Sequence, residues 1–150
     1  GSPQDPVRAR VVTWMKEYGI SRNLKKFQAG QINHASRTVV SKAYFETMYD
    51  SQIIVTANPS HWEGDFRLME TLAAGALIFV DRMYVPRPHP LIDHTHIIYY
   101  DNNNKTELFE LLDYYRLHTE KMTEISMIGY LHSMTYHRAA NLIDYILRTV

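Results

Sequence analysis

Residues 58–81 read Asn58-Pro-Ser-His-Trp-Glu63-Gly-Asp-Phe-Arg67-Leu-Met-Glu70-Thr-Leu-Ala-Ala-Gly75-Ala-Leu-Ile-Phe-Val-Asp81. A β-branched apolar run, Ile53-Ile54-Val55-Thr56-Ala57, leads into them. A polar loop with Pro59, Trp62, Glu63 and Gly64 follows, and then Phe66, Met69, Leu72 and Ala73 recur at helical spacing. Gly75 stands just past the last periodic residue, where glycine takes the left-handed backbone that ends a helix. Ala76 to Val80 is a second buried strand by composition. Strand, loop, helix and strand in this order make a βαβ crossover, and a crossover through a helix implies parallel strands. Open α/β sheets bind ligands beyond the carboxyl ends of their strands, so the polar loop falls where chemistry is expected.

The flanking sequence extends the same class. Upstream, Asp5 and Pro6 are an N-cap and a first helical residue, and Val7, Val11, Trp14, Met15 and Tyr18 recur at helical spacing before Gly19, which is expected to end that helix. Ile20 to Ala35 has no period; its basic residues Arg22, Lys25 and Lys26 read as a solvated loop or as a phosphate-contacting one. Ser36 caps a helix expected to reach Asp50, with Val39, Val40, Ala43, Tyr44 and Met48 inward. Downstream, Pro86, Pro88 and Pro90 make residues 81–95 a loop. His96 to Tyr100 is the third strand, and Asn103 or Asn104 caps a helix expected to run through Lys121 on Leu108, Leu111, Leu112 and Tyr115. Further helical stripes cover Glu124 to Met134 and about His137 to Leu147. The expected class is α/β, a small parallel sheet flanked by helices.

Composition removes other classes. The chain has 150 residues, 45% hydrophobic and 21% charged, which suits one globular domain. Sixteen basic residues balance sixteen acidic ones, and the absence of a basic excess argues against nucleic acid as the partner. No apolar run approaches the roughly 18 residues of a membrane span, and no signal peptide is visible. There is no cysteine, which excludes disulfides and cysteine zinc sites and fits a cytoplasmic location. Several of the eleven tyrosines fall on helix faces, in core or interface positions.

The run Glu63-Gly-Asp-Phe-Arg67-Leu-Met-Glu70-Thr-Leu-Ala-Ala-Gly75-Ala resembles the donor-site signature of GT-B glycosyltransferases of the "glycosyl transferases group 1" type, with its Arg-x-x-Glu-(Ala/Thr)-Leu-Ala-x-Gly core. The resemblance continues through Ile97 to Asp101, Leu108 to His118 and Ile125 to Leu147, and covers roughly Val39 to Val150. It implies the C-terminal, donor-binding half of such an enzyme, a Rossmann-like three-layer half-domain. With no strand in the first fifty residues, the half looks truncated: residues 1–2 read as a vector-derived scar and 3–38 as an incomplete start. The acceptor-binding half is then expected elsewhere, and an edge left bare by truncation is expected to be covered in a homodimer through the Pro6–Tyr18 helix.

Site expectations follow from residues and resemblance together. A loop entering a helix N-terminus offers unpaired N–H groups and the positive end of the dipole, which suits a diphosphate. Ser60, His61, Trp62, Gly64, Phe66, Arg67 and Glu70 form the expected nucleotide-sugar contact set. Gly64 permits close backbone approach. Arg67 either grips phosphate or pairs with an acid such as Asp65. Glu70, three residues on, is either an exposed helix glutamate or, as the resemblance implies, the family's ribose-binding glutamate. Trp62 and His61 either stack on base or sugar or pack locally. Glu63 and Asp65 are rival catalytic carboxylates: related retaining families space a glutamate pair as Glu-x7-Glu, whereas this chain has Glu63-x6-Glu70. The family's upstream basic pair has no aligned counterpart, with Arg22, Lys25 and Lys26 as stand-ins. His89, His94 and His96 lie in one loop; His94-x-His96 could ligate a metal in a strand, but without a supporting carboxylate pattern they read as solvated, and no metal is expected.

The donor expected from the resemblance is UDP- or GDP-linked, and the full enzyme would pass a hexose or deoxyhexose to a glycan or other hydroxyl acceptor. The competing class is a non-catalytic Rossmann-like interaction or scaffold module. A receiver-like signalling domain lacks the acidic pair and phosphoacceptor aspartate that would end an early strand.

Overall fold

The computed structural model describes residues 6–25, 29, 51–57, 66–82 and 88–136, and at 66 and 67 the backbone alone. Its elements in chain order are α1 (Pro6–Ser21), β1 (Ile53–Thr56), α2 (Phe66–Ala74), β2 (Leu77–Asp81), β3 (Ile98–Tyr100), α3 (Lys105–Leu117) and α4 (Thr119–Tyr136). The strands lie side by side in the order β1-β2-β3, and both pairings are parallel. Ile53 pairs with Leu77 and Thr56 with Val80; Phe79 pairs with Ile98 and Asp81 with Tyr100. The central strand is buried at every position, the pattern of a parallel strand covered on both faces. The helices expected at 36–50 and 137–147 lie outside the described residues.

Alternation along the strands divides the core into two layers. Leu77, Phe79, Ile98 and Tyr100 meet Val11 and Tyr18 of α1, Leu108, Leu112 and Tyr115 of α3, and Met122 and Ile125 of α4. On the other face Ile78, Val80 and Ile97 meet Leu68 and Leu72 of α2, with Leu91. Helix α4 therefore starts in the first layer and reaches Leu72 of the second at Gly129, beside the amino end of β3.

Two helices end in the same local motif. Gly75 adopts φ +78°, its N–H donates to Leu72 O at 3.1 Å, and Ala76 N–H donates to Thr71 O at 3.4 Å, the paired bonds of a Schellman end. The Gly19 expectation is corrected: α1 runs through a buried Gly19 to Ser21. Asn23, at φ 52°, plays the glycine part there, with Asn23 N–H on Ile20 O and Leu24 N–H on Gly19 O. Asn104 is the N-cap of α3: its side chain accepts from Glu107 N–H at 3.0 Å, while the Glu107 carboxylate reaches back to Asp101 N–H. The helix expected through Lys121 breaks at His118, whose N–H and Nδ1 both go to Tyr114 O, and α4 starts at Thr119. Neither glycine nor proline marks that break, so periodicity alone merges the two helices. Strand β2 extends one residue past Val80 to Asp81, and β3 starts at Ile98, with His96 left in a turn.

A polar cluster joins α1 to α3. Tyr18 donates to Asp113 Oδ1 at 2.7 Å, and Arg22 grips the same carboxylate with Nε on Oδ1 and Nη2 on Oδ2. The Arg22 guanidinium also lies over the Tyr18 ring, and Arg116 donates to the Tyr18 hydroxyl. The Arg22 hydrogen bonds hold the Asp113 carboxyl below its ordinary range. A depressed folded value means that this stabilisation is present above the ordinary carboxylate pKa and is lost as pH falls below it. Asp113→Asn is expected to lower the urea midpoint modestly at neutral pH, because the pair is partly exposed. The gap to wild type should close as pH drops below about 4, and a gap independent of pH would contradict the pairing.

A candidate ligand site at the carboxyl ends of the strands

Three parallel strands ending together create one edge where carbonyls and side chains face outward. β1 ends at Thr56, β2 at Asp81 and β3 at Tyr100. Helix α2 starts at Phe66 on the carboxyl side of β1, so its first-turn N–H groups belong to this edge.

The described side chains at the edge are polar and cross-linked. Asp81 is 1% exposed, and its Oδ2 accepts from the Asn102 amide at 3.0 Å. Tyr100 donates to Thr56 O at 2.7 Å and so ties β3 to β1 across β2. Burial first, and then the Asp81 charge, push the Tyr100 phenol well above its ordinary range, so it remains a proton donor. Helix α1 lays two arginines along the same edge. Arg8 Nε donates to Ala57 O at 3.1 Å, and Arg10 donates through Nε and Nη2 to Asn102 O at 3.1 and 2.7 Å. Arg10 Nη2 also reaches Asn103 Oδ1. The hydroxyl of Thr56, almost fully buried, has no hydrogen-bond partner among the described residues. Its neighbours Ile53 and Val55 face the α1 layer, so alternation turns Thr56 toward the α2 layer. A buried carboxylate, a fixed phenol, amides and two guanidinium groups make the edge a place for a polar ligand.

Of the residues expected from sequence, Ser60, His61, Trp62, Glu63, Gly64 and Asp65 lie outside the described residues. Phe66 and Arg67 open α2 by their backbone, and Glu70 sits half-buried one turn on. Arg22 is corrected as a stand-in for a phosphate-binding pair, since its guanidinium is committed to Asp113. Lys25 is exposed. The reading of His89, His94 and His96 as solvated is corrected at His96, which is buried and accepts from Ile92 N–H at Nδ1. His94 is exposed at φ 60°, with Nδ1 3.0 Å from the Tyr115 hydroxyl. Among the described residues no group of three or more His, Asp or Glu side chains is placed to hold a metal ion, and no helix is long and apolar enough to cross a membrane.

Sequence reasoning missed Arg8, Arg10, Asp81, Tyr100 and Asn102. Asp81 carried a usable signal, a charge closing an apolar run at the carboxyl end of a strand. Arg8 and Arg10 carried none, because only the packing of α1 on the sheet brings them to this edge.

Comparison with known proteins places these features. The profile of the family described as "Glycosyl transferase-like" matches residues 7–148. No curated protein matches the chain. Among solved structures, the C-terminal domain of a glycosyl transferase group 1 family protein (LpcC) from Francisella tularensis is similar, with a TM-score of 0.57 and 16% sequence identity. The match covers 83% of this chain and 60% of that one, so the chain spans 60% of that domain's length. The likeness is one of fold, the Rossmann-like C-terminal half of a GT-B enzyme. The profile match, which takes in all three strands and all of the described helices but Pro6, shows that the chain belongs to the glycosyl transferase-like family.

Proposed function

We propose that the chain is the nucleotide-sugar-binding domain of a glycosyltransferase. One observation carries this reading: the parallel crossover from β1 through α2 to β2 sets the start of α2, with Arg67 and Glu70 on its first two turns, at the carboxyl edge of the sheet. The α2 N–H groups and Arg67 neutralise the diphosphate, and Glu70 accepts from the ribose hydroxyls. Asp81, Asn102 and Tyr100 form the polar floor beneath. Glu63 or Asp65, rivals by the family resemblance, supplies the carboxylate near the anomeric carbon. In the transfer the acceptor oxygen bonds to that carbon while the carbon's bond to the diphosphate breaks and the diphosphate departs, and the acceptor hydroxyl gives its proton to a base of the second half-domain. A second half-domain supplies the acceptor site, so the chain alone binds donor and turns over little. The donor is UDP- or GDP-linked and is held without a metal.

A thermal-shift panel tests this reading. UDP or GDP at about a hundred times its dissociation constant adds about 2.7 kcal/mol by mass action. That raises the melting temperature by roughly 5–10 °C for a chain of this size. Uridine and guanosine, which lack the diphosphate, should do far less. Equal shifts from nucleoside and nucleoside diphosphate, or none from either, would count against donor binding.

A further inference from the structure

Tyr100 ends β3, and its side chain is buried in the core layer that holds Phe79, Ile98 and Leu108. A hydroxyl in such a layer is costly unless it is hydrogen-bonded. This one reaches past β2, the strand that β3 pairs with, and donates to Thr56 O at 2.7 Å in a buried bond. Thr56 is the last residue of β1. The next carbonyl, Ala57 O, accepts from Arg8 Nε at 3.1 Å. Two successive carbonyls at the exit of β1 are thus held by side chains from outside the strand, one from β3 and one from α1. The Thr56 side chain adds no bond of its own, because its hydroxyl has no hydrogen-bond partner among the described residues. Phenylalanine would bury the same ring, so packing does not account for the Tyr100 hydroxyl.

We propose that Tyr100 is a positioning residue for the ligand of this edge: through Thr56 O it sets the direction in which the chain leaves β1, and so the place where the crossover starts α2 and aims its first-turn N–H groups. The inference rests on the donor-binding reading, which puts a nucleoside diphosphate at those groups. Tyr100 acts through Thr56 and not by contact, since its proton is committed to the Thr56 carbonyl. The body of α2 has its own anchors, Leu68 and Leu72 packed with Ile78 and Val80. The helix start precedes those anchors, and the chain that leads to it departs from the two held carbonyls. In register, Thr56 lies beside Val80 of β2, which is fully buried, so the exit is fixed relative to the centre of the sheet. Hydrogen bonds weaken steeply as distance and angle depart from their optimum. A small drift of the exit therefore costs affinity at the start of α2 without unfolding the domain.

Tyr100→Phe tests this, because it removes the hydroxyl and keeps the ring. Calorimetric titration of the whole chain with UDP and GDP should show roughly tenfold weaker binding than wild type, while uridine and guanosine change by less than about twofold. The loss falls on the diphosphate because the first-turn N–H groups are what the exit of β1 positions. Gly129→Ala is the control for stability alone. It disturbs the crossing of α4 over the amino end of β3, and a protein that is less stable but still folded binds as wild type does. Without nucleotide, Tyr100→Phe should also move the amide signals of Ala57 and of Phe66 to Leu68. Equal diphosphate affinity in Tyr100→Phe and wild type would overturn the proposal and leave the donor reading standing. So would an equal loss in Gly129→Ala, or Phe66 to Leu68 signals that stay in place. Wild type that binds neither UDP nor GDP would overturn the donor reading, and the proposal with it.

Discussion

Replacing Gly129 with alanine is expected to destabilise the domain by about 1–3 kcal/mol, the ordinary cost of overpacking a tight core. On an open helix the same change would gain about 0.5–1 kcal/mol, because glycine is the poorer helix former. Here the sign reverses. A Cβ at 129 would run into the His96 carbonyl oxygen, with Leu72 Cδ2 at 3.1 Å as its next neighbour. The Leu72 methyl can turn aside, but a backbone carbonyl cannot, so α4 would have to lift from β3 and α2. Against a total of about 5–15 kcal/mol, such a loss is a large fraction. Gly75→Ala is the control. Gly75 is at φ +78° with nothing among the described residues within 4 Å of its missing Cβ, so its cost is backbone strain, about 1–2 kcal/mol. Urea unfolding of both variants reads the difference, and a Gly129→Ala protein as stable as wild type would contradict the close crossing of α4.

Arg67→Ala and Glu70→Ala should each weaken UDP or GDP binding roughly ten- to a hundredfold. On the proposed donor site, each would remove a charge-assisted hydrogen bond of about 1.5–3 kcal/mol. The losses should differ in kind. Without Arg67, affinity for nucleoside diphosphate should approach that for the nucleoside. Without Glu70, the ratio should persist and the preference for ribose over deoxyribose should fall. Glu70 is half-buried on a helix whose buried residues are Leu68, Thr71 and Leu72, so Glu70→Ala removes no core. Unchanged far-ultraviolet dichroism is the folding control, and His94→Ala, on an exposed turn, should bind as wild type does. Two variants that bind as tightly as wild type would move the donor site off α2.

Local chemistry made much of the fold legible. The sequence 53–80 alternates turn signal and period so clearly that β1, α2 and β2 could be placed to within a residue, and parallel pairing followed from the crossover. The helix at 6–21 was visible on Val7, Val11, Trp14, Met15 and Tyr18, but its end was not. Gly19 carries the commoner stop signal, whereas the left-handed residue is Asn23, a choice set by packing of Tyr18 and Leu24 into the core. The break at His118 had no local marker, since the α3–α4 angle is fixed by where Leu112, Tyr115, Met122 and Ile125 bury. His96 looked solvated because alternation of histidine with polar residues resembles an exposed turn. Only its return to α4 makes it a core group. At the site, one element was readable and the other was not. The α2 residues announce themselves by spacing, whereas Arg8 and Arg10 meet their partners Ala57 and Asn102 across 49 and 92 residues, and Asn102 meets Asp81 across 21.

The most direct measurement is the change in backbone amide shifts of the whole labelled chain when UDP or GDP is added. Donor binding at the carboxyl edge predicts that the perturbed amides cluster at the start of α2, around Phe66 to Glu70, just past Thr56, and at Asp81 and Asn102. Amides of the open depression along Thr119, Thr123 and Met127 should stay still. Perturbation confined to that stretch of α4, or to the amino ends of the strands, would contradict the account.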